Sequence, residues 1–306
     1  MMKAVNFSQY GTPDELRVSE VATPSPGLGQ VLIKVHAAGV NPADWKWRAG
    51  WFAAHAPVAL PHIPGYDVAG TIEQVGPDVT GFAPGDRVFA MLDAFTKGGY
   101  AQYAACDVAL VARVPAGMDF PTAAALPTPG LTGCQMIAEH LPKGSGPILI
   151  TGACGAVGRF ALYQARQLGV RCIAAVRASQ IDQALALGAD EAIALDDPAT
   201  PIPSVGFIAD TVGGAQVARL AGGLAAGGKI ITVSPTPIPP EGLATTPVFI
   251  AVHPDAAMLE RIAGAVAQGE ITLADLRLLP LADAAEAHRR LEAGAVGAKL
   301  ILQPQT

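Results

Sequence analysis

Short apolar runs separated by polar, glycine- and proline-rich turns fill the chain up to residue 120. The runs 3–7 (KAVNF), 30–39 (QVLIKVHAAG), 67–75 (DVAGTIEQV), 86–92 (DRVFAML) and 100–106 (YAQYAAC) have strand length and strand composition. TPSPGLG at 23–29 and VGPDVTGFAPGDR at 75–87 read as turns between them. This spacing predicts a small antiparallel barrel or sandwich.

The pattern changes from residue 122. TAAALPTPGLTGCQMIAEHL (122–141) is helical in character and interrupted by Pro127 and Pro129. Strands and helices then alternate. PILITGA (147–153) precedes GRFALYQARQLG, RCIAAV precedes SQIDQALALG, EAIAL follows, and FIADT precedes GAQVARLAGGLAAGG. KIITVS, PVFIAV and the helical DAAMLERIAGAVAQG (255–269) complete the series. Such alternation predicts an α/β fold with a doubly wound parallel sheet. The remainder holds strand-like ITLADLRLLPL (271–281), helical ADAAEAHRRLEAG (282–294) and a terminal strand AKLIL (298–302), expected to return to the first domain.

Composition narrows the function classes. Hydrophobic residues make up 51% and charged residues 15%, which excludes a disordered chain. No apolar stretch reaches the roughly 18 residues of a membrane helix. The net charge of -6, with no Lys/Arg stripe, argues against nucleic acid as a partner. Cys106, Cys134, Cys154 and Cys172 form no CxxC pair, so neither a disulfide framework nor a cysteine-rich zinc site is indicated. The N-terminal MMKAVNFSQYG has no apolar signal core. The expected setting is cytoplasmic.

The chemistry begins where ILITGA turns into a helix. Gly152, Ala153, Gly155, Ala156, Val157 and Gly158 form a small-residue turn between a strand and a helix. There, backbone N–H groups at the positive helix end can meet a pyrophosphate. Ala153 stands where G-x-G-x-x-G has its first glycine. About 20 residues on, at the end of the next strand, an NAD site carries an acid for the ribose hydroxyls. Here that window reads AAVRASQ (174–180) and has none. Arg177 can pair with a 2′-phosphate and Ser179 can donate to it, so the expected cofactor is NADPH. An arginine at a strand end can also be simply solvated.

AAGVNPADWKWRAG (37–50), PHIPGYDVAG (61–70), GDRV (85–88), GGYAQY (98–103), GLT (130–132), DTVGG (210–214), GGKIITVS (227–234) and PLADAAEAHRRLEAG followed by AKLIL are collinear and span essentially the whole chain. In this order the chain resembles the zinc-independent medium-chain dehydrogenase/reductase superfamily, in its quinone oxidoreductase (zeta-crystallin-like) and enone reductase branch. The resemblance implies a Rossmann domain at 122–269. It also implies a GroES-like β-barrel domain made of 1–121 and a return segment 270–306, with the active cleft between the two. Thr132, Thr211, Val212, Phe249, Val252 and Lys299 match cofactor-contacting positions of the family; Lys299 follows Ala298 where the family pattern has glycine. The edge run PVFIAV implies a homodimer by sheet continuation.

The zinc alcohol dehydrogenases of that superfamily have Cys where this chain has Asn41 and a His-Glu pair where it has Tyr66 and Asp67. A catalytic zinc needs three protein ligands and an open position, so no metal is expected. Without a Lewis acid, alcohol oxidation is disfavoured, and an already electrophilic quinone or α,β-unsaturated carbonyl is the fitting acceptor. It needs only orientation and a hydrogen-bond donor near the developing negative charge. The resemblance offers Asn41 and Lys46 as the catalytic residues. Asn41 also reads as a turn residue before Pro42, and Lys46 as a surface lysine. Asp44 reads as a brace for the turn. Trp45, Trp47, Trp51 and Phe52 wall an acceptor pocket or form a buried barrel edge. Cys154, beside a helix N-terminus, is open to a lowered thiol pKa, but reads better as a small residue tolerated beside the phosphates. Asp210 reads as a structural cap rather than a base.

The expected function is therefore an NADPH-dependent oxidoreductase that passes hydride to a small quinone or enone. Alternatives are an enoyl-thioester reductase and a non-catalytic NADPH-binding sensor or structural protein, since fold alone does not settle function.

Overall fold

The protein is described from a computed structural model that covers residues 1–93, 95, 98–294 and 297–305. By its internal contacts the chain divides into two units. One comprises Met1–Thr128, Pro254–Ala267 and Ala274–Thr306; the other comprises Pro129–His253 and Gln268–Leu273.

In chain order the first unit opens with β1 (Met2–Asn6), β2 (Arg17–Val21), β3 (Gln30–Gly39), α1 (Pro42–Arg48) and β4 (Asp67–Val75). It continues with β5 (Arg87–Met91), β6 (Tyr103–Asp107), β7 (Val111–Arg113), α2 (Phe120–Ala124) and the start of α3 (Pro127–Ala138). The second unit supplies β8 (Ile148–Thr151), α4 (Ala156–Gln167), β9 (Cys172–Val176), α5 (Ile181–Ala186), β10 (Glu191–Ala194) and β11 (Val205–Asp210). It also holds α6 (Gly214–Leu220), β12 (Leu224–Thr232) and β13 (Val248–Phe249). The chain then gives α7 (Ala256–Ala267), β14 (Leu276–Pro280), α8 (Ala284–Glu292) and β15 (Lys299–Gln303) back to the first unit.

In the first unit a seven-stranded sheet runs in the order β14-β15-β3-β4-β5-β7, with β6 also paired to β3. Strand β3 is long enough to serve three partners. Its start pairs with β6, its whole length with β4, and its end with β15. Register shifts at Leu32/Ile33 and Val35/Ala37 bend it between those tasks. Val31, Ile33 and Val35 point to one side and join Val68, Ile72, Val88, Ala90, Leu300 and Leu302 in one core. The consequence for chemistry lies at the far end of β3. Gly39 is the register partner of both Asp67, the first residue of β4, and Ile301 of β15. Three strand ends therefore meet where α1 begins.

In the second unit six parallel strands run in the order β10-β9-β8-β11-β12-β13. Their residues are apolar on both faces, as a sheet covered on both sides requires. Ile148, Ile150, Ala174, Phe207 and Ala209 face one core with Ala161, Leu162 and Ala165 of α4. The alternating Leu149, Ile173, Ala175 and Ile208 face the other core with Val217 and Leu220 of α6. Burying each such large side chain contributes about 1.5–3 kcal/mol. The strand order reverses between β8 and β11, which is the switch point where an open parallel sheet leaves a crevice at its carboxyl ends.

The structure corrects four local expectations. GAQVARLAGGLAAGG is not one helix: α6 stops at Leu220, and Leu224 already begins β12. Gly222 and Gly223, poor helix formers, stand at that break. PVFIAV contributes only Val248–Phe249, and both are exposed. Strands β2 and β7 lie outside every apolar run picked out above. In ITLADLRLLPL only Leu276–Pro280 forms a strand, β14.

Candidate active site

The β8–α4 turn gathers six expected residues in one place. Gly152 takes φ +64°, a left-handed conformation that a side chain would strain. A Cβ there would lie 2.5 Å from Thr211 Oγ1. Gly158 is held tighter still. Its Cβ would fall 2.3 Å from the Gly152 carbonyl oxygen and 2.6 Å from Ala153 Cα. Gly158 is thus required by close approach of backbone to backbone, and Gly152 by its left-handed φ and the Thr211 side chain; together they leave a cradle lined largely by main chain at the N-terminus of α4. Gly155 is the N-cap residue of that helix and has no side chain to offer its first N–H groups. That is the chemistry a pyrophosphate needs, so the turn fits a dinucleotide.

Asp210 organises the far wall of the cradle. It is fully buried and accepts from Thr151 Oγ1 (2.6 Å), Thr232 Oγ1 (2.6 Å) and the backbone N–H groups of Val212 and Gly213 (both 3.0 Å). It ties the ends of β8, β11 and β12 together and is spoken for as a cap. Thr211 donates to the Thr151 carbonyl at 2.8 Å. Thr211 and Val212 thus stand beside Gly152.

Arg177 and Ser179 follow β9 and are exposed. Arg177 Nε donates to Gln180 Oε1 at 3.2 Å, which leaves the guanidinium ends open. The absence of an acid from this window is local only. Asp196, just past β10, accepts from the Ala178 N–H at 2.8 Å and so stands beside the pair. The Cys154 thiol is not activated: burial raises its pKa, outweighing Arg159 and Arg177, and Sγ donates to the Gln180 carbonyl at 3.7 Å. Thr132 is buried in α3. Phe249 lies on the edge strand β13, and Val252 is half-buried three residues on.

The first unit holds the second group of expected residues. Asn41 caps α1, and Pro42 fills its first helical position, where a missing N–H costs nothing. The Asn41 side chain does not cap the helix. Its Nδ2 donates to Asp67 Oδ2 at 2.8 Å, and its Oδ1 accepts from Lys299 Nζ. Lys299 has no acceptor atom, so this contact fixes which way the Asn41 amide points. Lys299, expected among the cofactor contacts, therefore sits against Asn41 and 3.6 Å from the Asp67 carboxylate. Thr128 adds its N–H (2.9 Å) and hydroxyl (2.6 Å) to Asp67 Oδ1. Asp67 is fully buried; burial pushes its pKa up, and the Lys299 ammonium and these hydrogen bonds pull it back. Burial lowers the Lys299 pKa against the pull of Asp67 and Asp44.

Lys46 is not a surface lysine. It is 9% exposed, and its Nζ lies 5.8 Å and 5.9 Å from the ring centroids of Trp45 and Trp51. Two aromatic faces hold the ammonium by cation–π attraction while burial lowers its pKa. The tryptophans divide between the two readings offered for them. Trp47 joins the core with Phe52, whereas Trp51 stays 55% exposed and meets Trp45 edge to face.

Sequence reasoning missed a buried polar chain behind α1. Asp44 Oδ2 accepts from the Asn41 N–H at 2.7 Å and from Tyr100 Oη at 2.9 Å. Tyr100 Oη lies 3.3 Å from His288 Nε2, and Arg48 Nε donates to His288 Nδ1 at 3.5 Å. Arg48 continues to the carboxylate of Glu292. The brace read into Asp44 from its spacing is there; the partners from Tyr100 and α8 lie far along the chain and carry no local signal.

Residues 27–116 match the alcohol dehydrogenase GroES-like domain family, and residues 187–302 match the zinc-binding dehydrogenase family. The chain is 34% identical over 250 residues to a chloroplastic quinone-oxidoreductase homolog of Spinacia oleracea, a match covering 78% of this chain and 76% of that protein. It is 38% identical over 205 residues to the chloroplastic quinone-oxidoreductase QR1 of Triphysaria versicolor, covering 65% of this chain and 62% of the relative. That second match spans less than two thirds of the relative's length. The solved structure of the quinone oxidoreductase from Coxiella burnetii superposes with a TM-score of 0.83 at 27% identity, covering 99% of both chains. No helix among the described residues is long and apolar enough to cross a membrane.

Among the described residues no three His, Cys, Asp or Glu side chains are grouped to hold a metal. Asn41 and Tyr66 offer an amide and a phenol, and Asp67 already binds the Lys299 ammonium. This donor set does not fit a catalytic zinc.

Proposed function

This chain belongs to the quinone oxidoreductase branch of the medium-chain dehydrogenase/reductase superfamily, and on that premise we propose that it is a metal-independent NADPH oxidoreductase acting on small quinones or α,β-unsaturated carbonyls. The observation that carries the proposal is the main-chain cradle between Gly152 and Gly158, followed by the exposed Arg177 and Ser179. The cradle receives the pyrophosphate and Arg177 with Ser179 the 2′-phosphate. NADPH, when bound, supplies the hydride. Asn41 keeps one Nδ2 hydrogen beyond the bond it gives to Asp67, and that hydrogen is its donor for the acceptor's oxygen. Lys46 adds a positive field from its tryptophan seat. Thr132, Thr211, Val212, Phe249 and Val252 line the nicotinamide end.

The same proposal includes a GroES-like domain of 1–121 with 270–306, a Rossmann domain of 122–269, a cytoplasmic setting, and a homodimer formed through the open edge of β13. Lys299 is assigned to Asn41 rather than to the cofactor. The test is NADPH oxidation against a panel of quinones and short enones. Turnover on either class supports the proposal, and NADPH that binds without being oxidised by any member overturns it.

A further inference from the structure

Two carboxyl groups and one ammonium lie close together in the interior of the first unit. Asp44, Asp67 and Lys299 are 0%, 0% and 9% exposed. If both carboxyls were ionised, the cluster would hold one buried negative charge without a counter-ion, which is costly. The two carboxyls are not equally equipped. Asp67 has the ammonium, the Asn41 amide and both donors of Thr128. Asp44 receives two donors on Oδ2 alone, and its Oδ1 has no hydrogen-bond partner. A carboxylate with one oxygen buried without a donor is the least favourable ion in the cluster, so of the two carboxyls Asp44 is the one left open to protonation.

The groups facing Asp44 pull in both directions. Tyr100 and the Asn41 N–H favour its carboxylate, Lys299 favours it from β15, and Asp67 and burial oppose it. Tyr66, with its own hydroxyl unpartnered, stays neutral, its pKa raised by burial and by Asp44. His288 is kept neutral by burial and by Arg48. Arg48 Nε–H points at Nδ1, so the His288 proton sits on Nε2, toward Tyr100. Burial, the largest of these effects, pushes Asp44 up to about 7.

We propose that Asp44 is a proton-dependent positioning residue: its carboxylate pins the Asn41 N–H at the start of α1, and its protonation slackens that hold, so that the placement of the Asn41 amide follows the charge on Asp44. The functional consequence rests on Asn41 as the donor to the acceptor's oxygen. It goes further in giving the hold on Asn41 to a fully buried carboxyl, Asp44, three residues along the same helix start.

Nuclear magnetic resonance of the full chain tests this without turnover. With 13C-labelled aspartate, one carboxyl signal is expected to titrate near neutrality, to vanish in Asp44→Asn, and to move upward by about one pH unit in Tyr100→Phe, which removes a donor to the charged form. The Asn41 amide 15N–H signal should follow the same midpoint. Where Asp44→Asn does not fold, Tyr100→Phe retains the carboxyl and carries the test. In parallel, kcat/KM of NADPH oxidation should rise at least about threefold as pH increases through neutrality and become flat in Asp44→Asn, with NADPH affinity unchanged. An Asp44 carboxyl that stays ionised from about pH 5 to 9, or an Asn41 signal indifferent to it, overturns the proposal whatever the activity. Absence of turnover beside a titrating Asp44 overturns the proposed reaction instead and leaves the positioning link standing.

Discussion

Lys299 donates to the side-chain oxygen of Asn41 across 258 residues of sequence. That contact, with Asp67 on the amide nitrogen, turns an ordinary helix-capping asparagine into an oriented hydrogen-bond donor. Removing the lysine leaves Asp67 as a buried carboxylate without its cation. Lys299→Met is expected to destabilise the fold by about 3–5 kcal/mol, read as a lowered urea midpoint. Asp67→Asn in the same chain should recover part of that loss, because no uncompensated charge remains. A double mutant no more stable than Lys299→Met would show that the pair does not act as a unit.

The glycine turn gives a sharper test of local geometry. In Gly158→Ala the new methyl meets backbone at 2.3 Å and 2.6 Å, and backbone cannot rotate away as a side chain can. NADPH affinity should fall at least about tenfold while the fold loses about 1–3 kcal/mol from overpacking. Calorimetric titration and thermal denaturation separate the two effects. Unchanged affinity would remove the turn from the cofactor site.

Arg177 tests the choice of dinucleotide. Arg177→Ala should weaken NADPH binding about tenfold, the scale of one charge-assisted hydrogen bond, and leave NADH binding within about twofold. Equal losses for both would mean that Arg177 contacts the shared part of the dinucleotide.

The fold was largely legible from local pattern. Strands β8 to β11 and helix α4 follow from runs such as ILIT and the small-residue turn after it, because each is set by neighbours within a few residues. The polar cluster was not. Asn41, Asp67 and Lys299 meet only because β3, β4 and β15 end together, a property of strand register. Asp196 reaches Ala178 from the next strand of a parallel sheet, so a window on β9 alone misses it. The reverse holds at LAAGG, where alanine-rich composition reads as helix although Leu224 already pairs with Val205 of β11 and opens β12.

Stability should fall on mild acidification, and the sign follows from three buried groups. His62 and His288 are kept neutral in the fold, their pKa values pushed down by burial to about 4 and about 3 from 6.5. Between about pH 6.5 and 4 the unfolded chain therefore binds two more protons at these sites. Asp44, pushed up to about 7 from 3.8, binds one more in the fold over the same range and offsets half of that. The two histidines outweigh Asp44 over this range, so stability falls as the pH falls, and Asp44→Asn should steepen the fall. Urea midpoints at a series of pH values check both directions; an Asp44→Asn slope no steeper than the parent's would contradict the assignment.

The central claim is hydride transfer from NADPH without a metal. Its most direct test is kcat/KM for NADPH and for NADH on chelator-treated protein with one quinone acceptor. Full activity after chelation, with NADPH preferred at least about tenfold, is the predicted result. Activity lost on chelation and restored by zinc, or a preference for NADH, would contradict it.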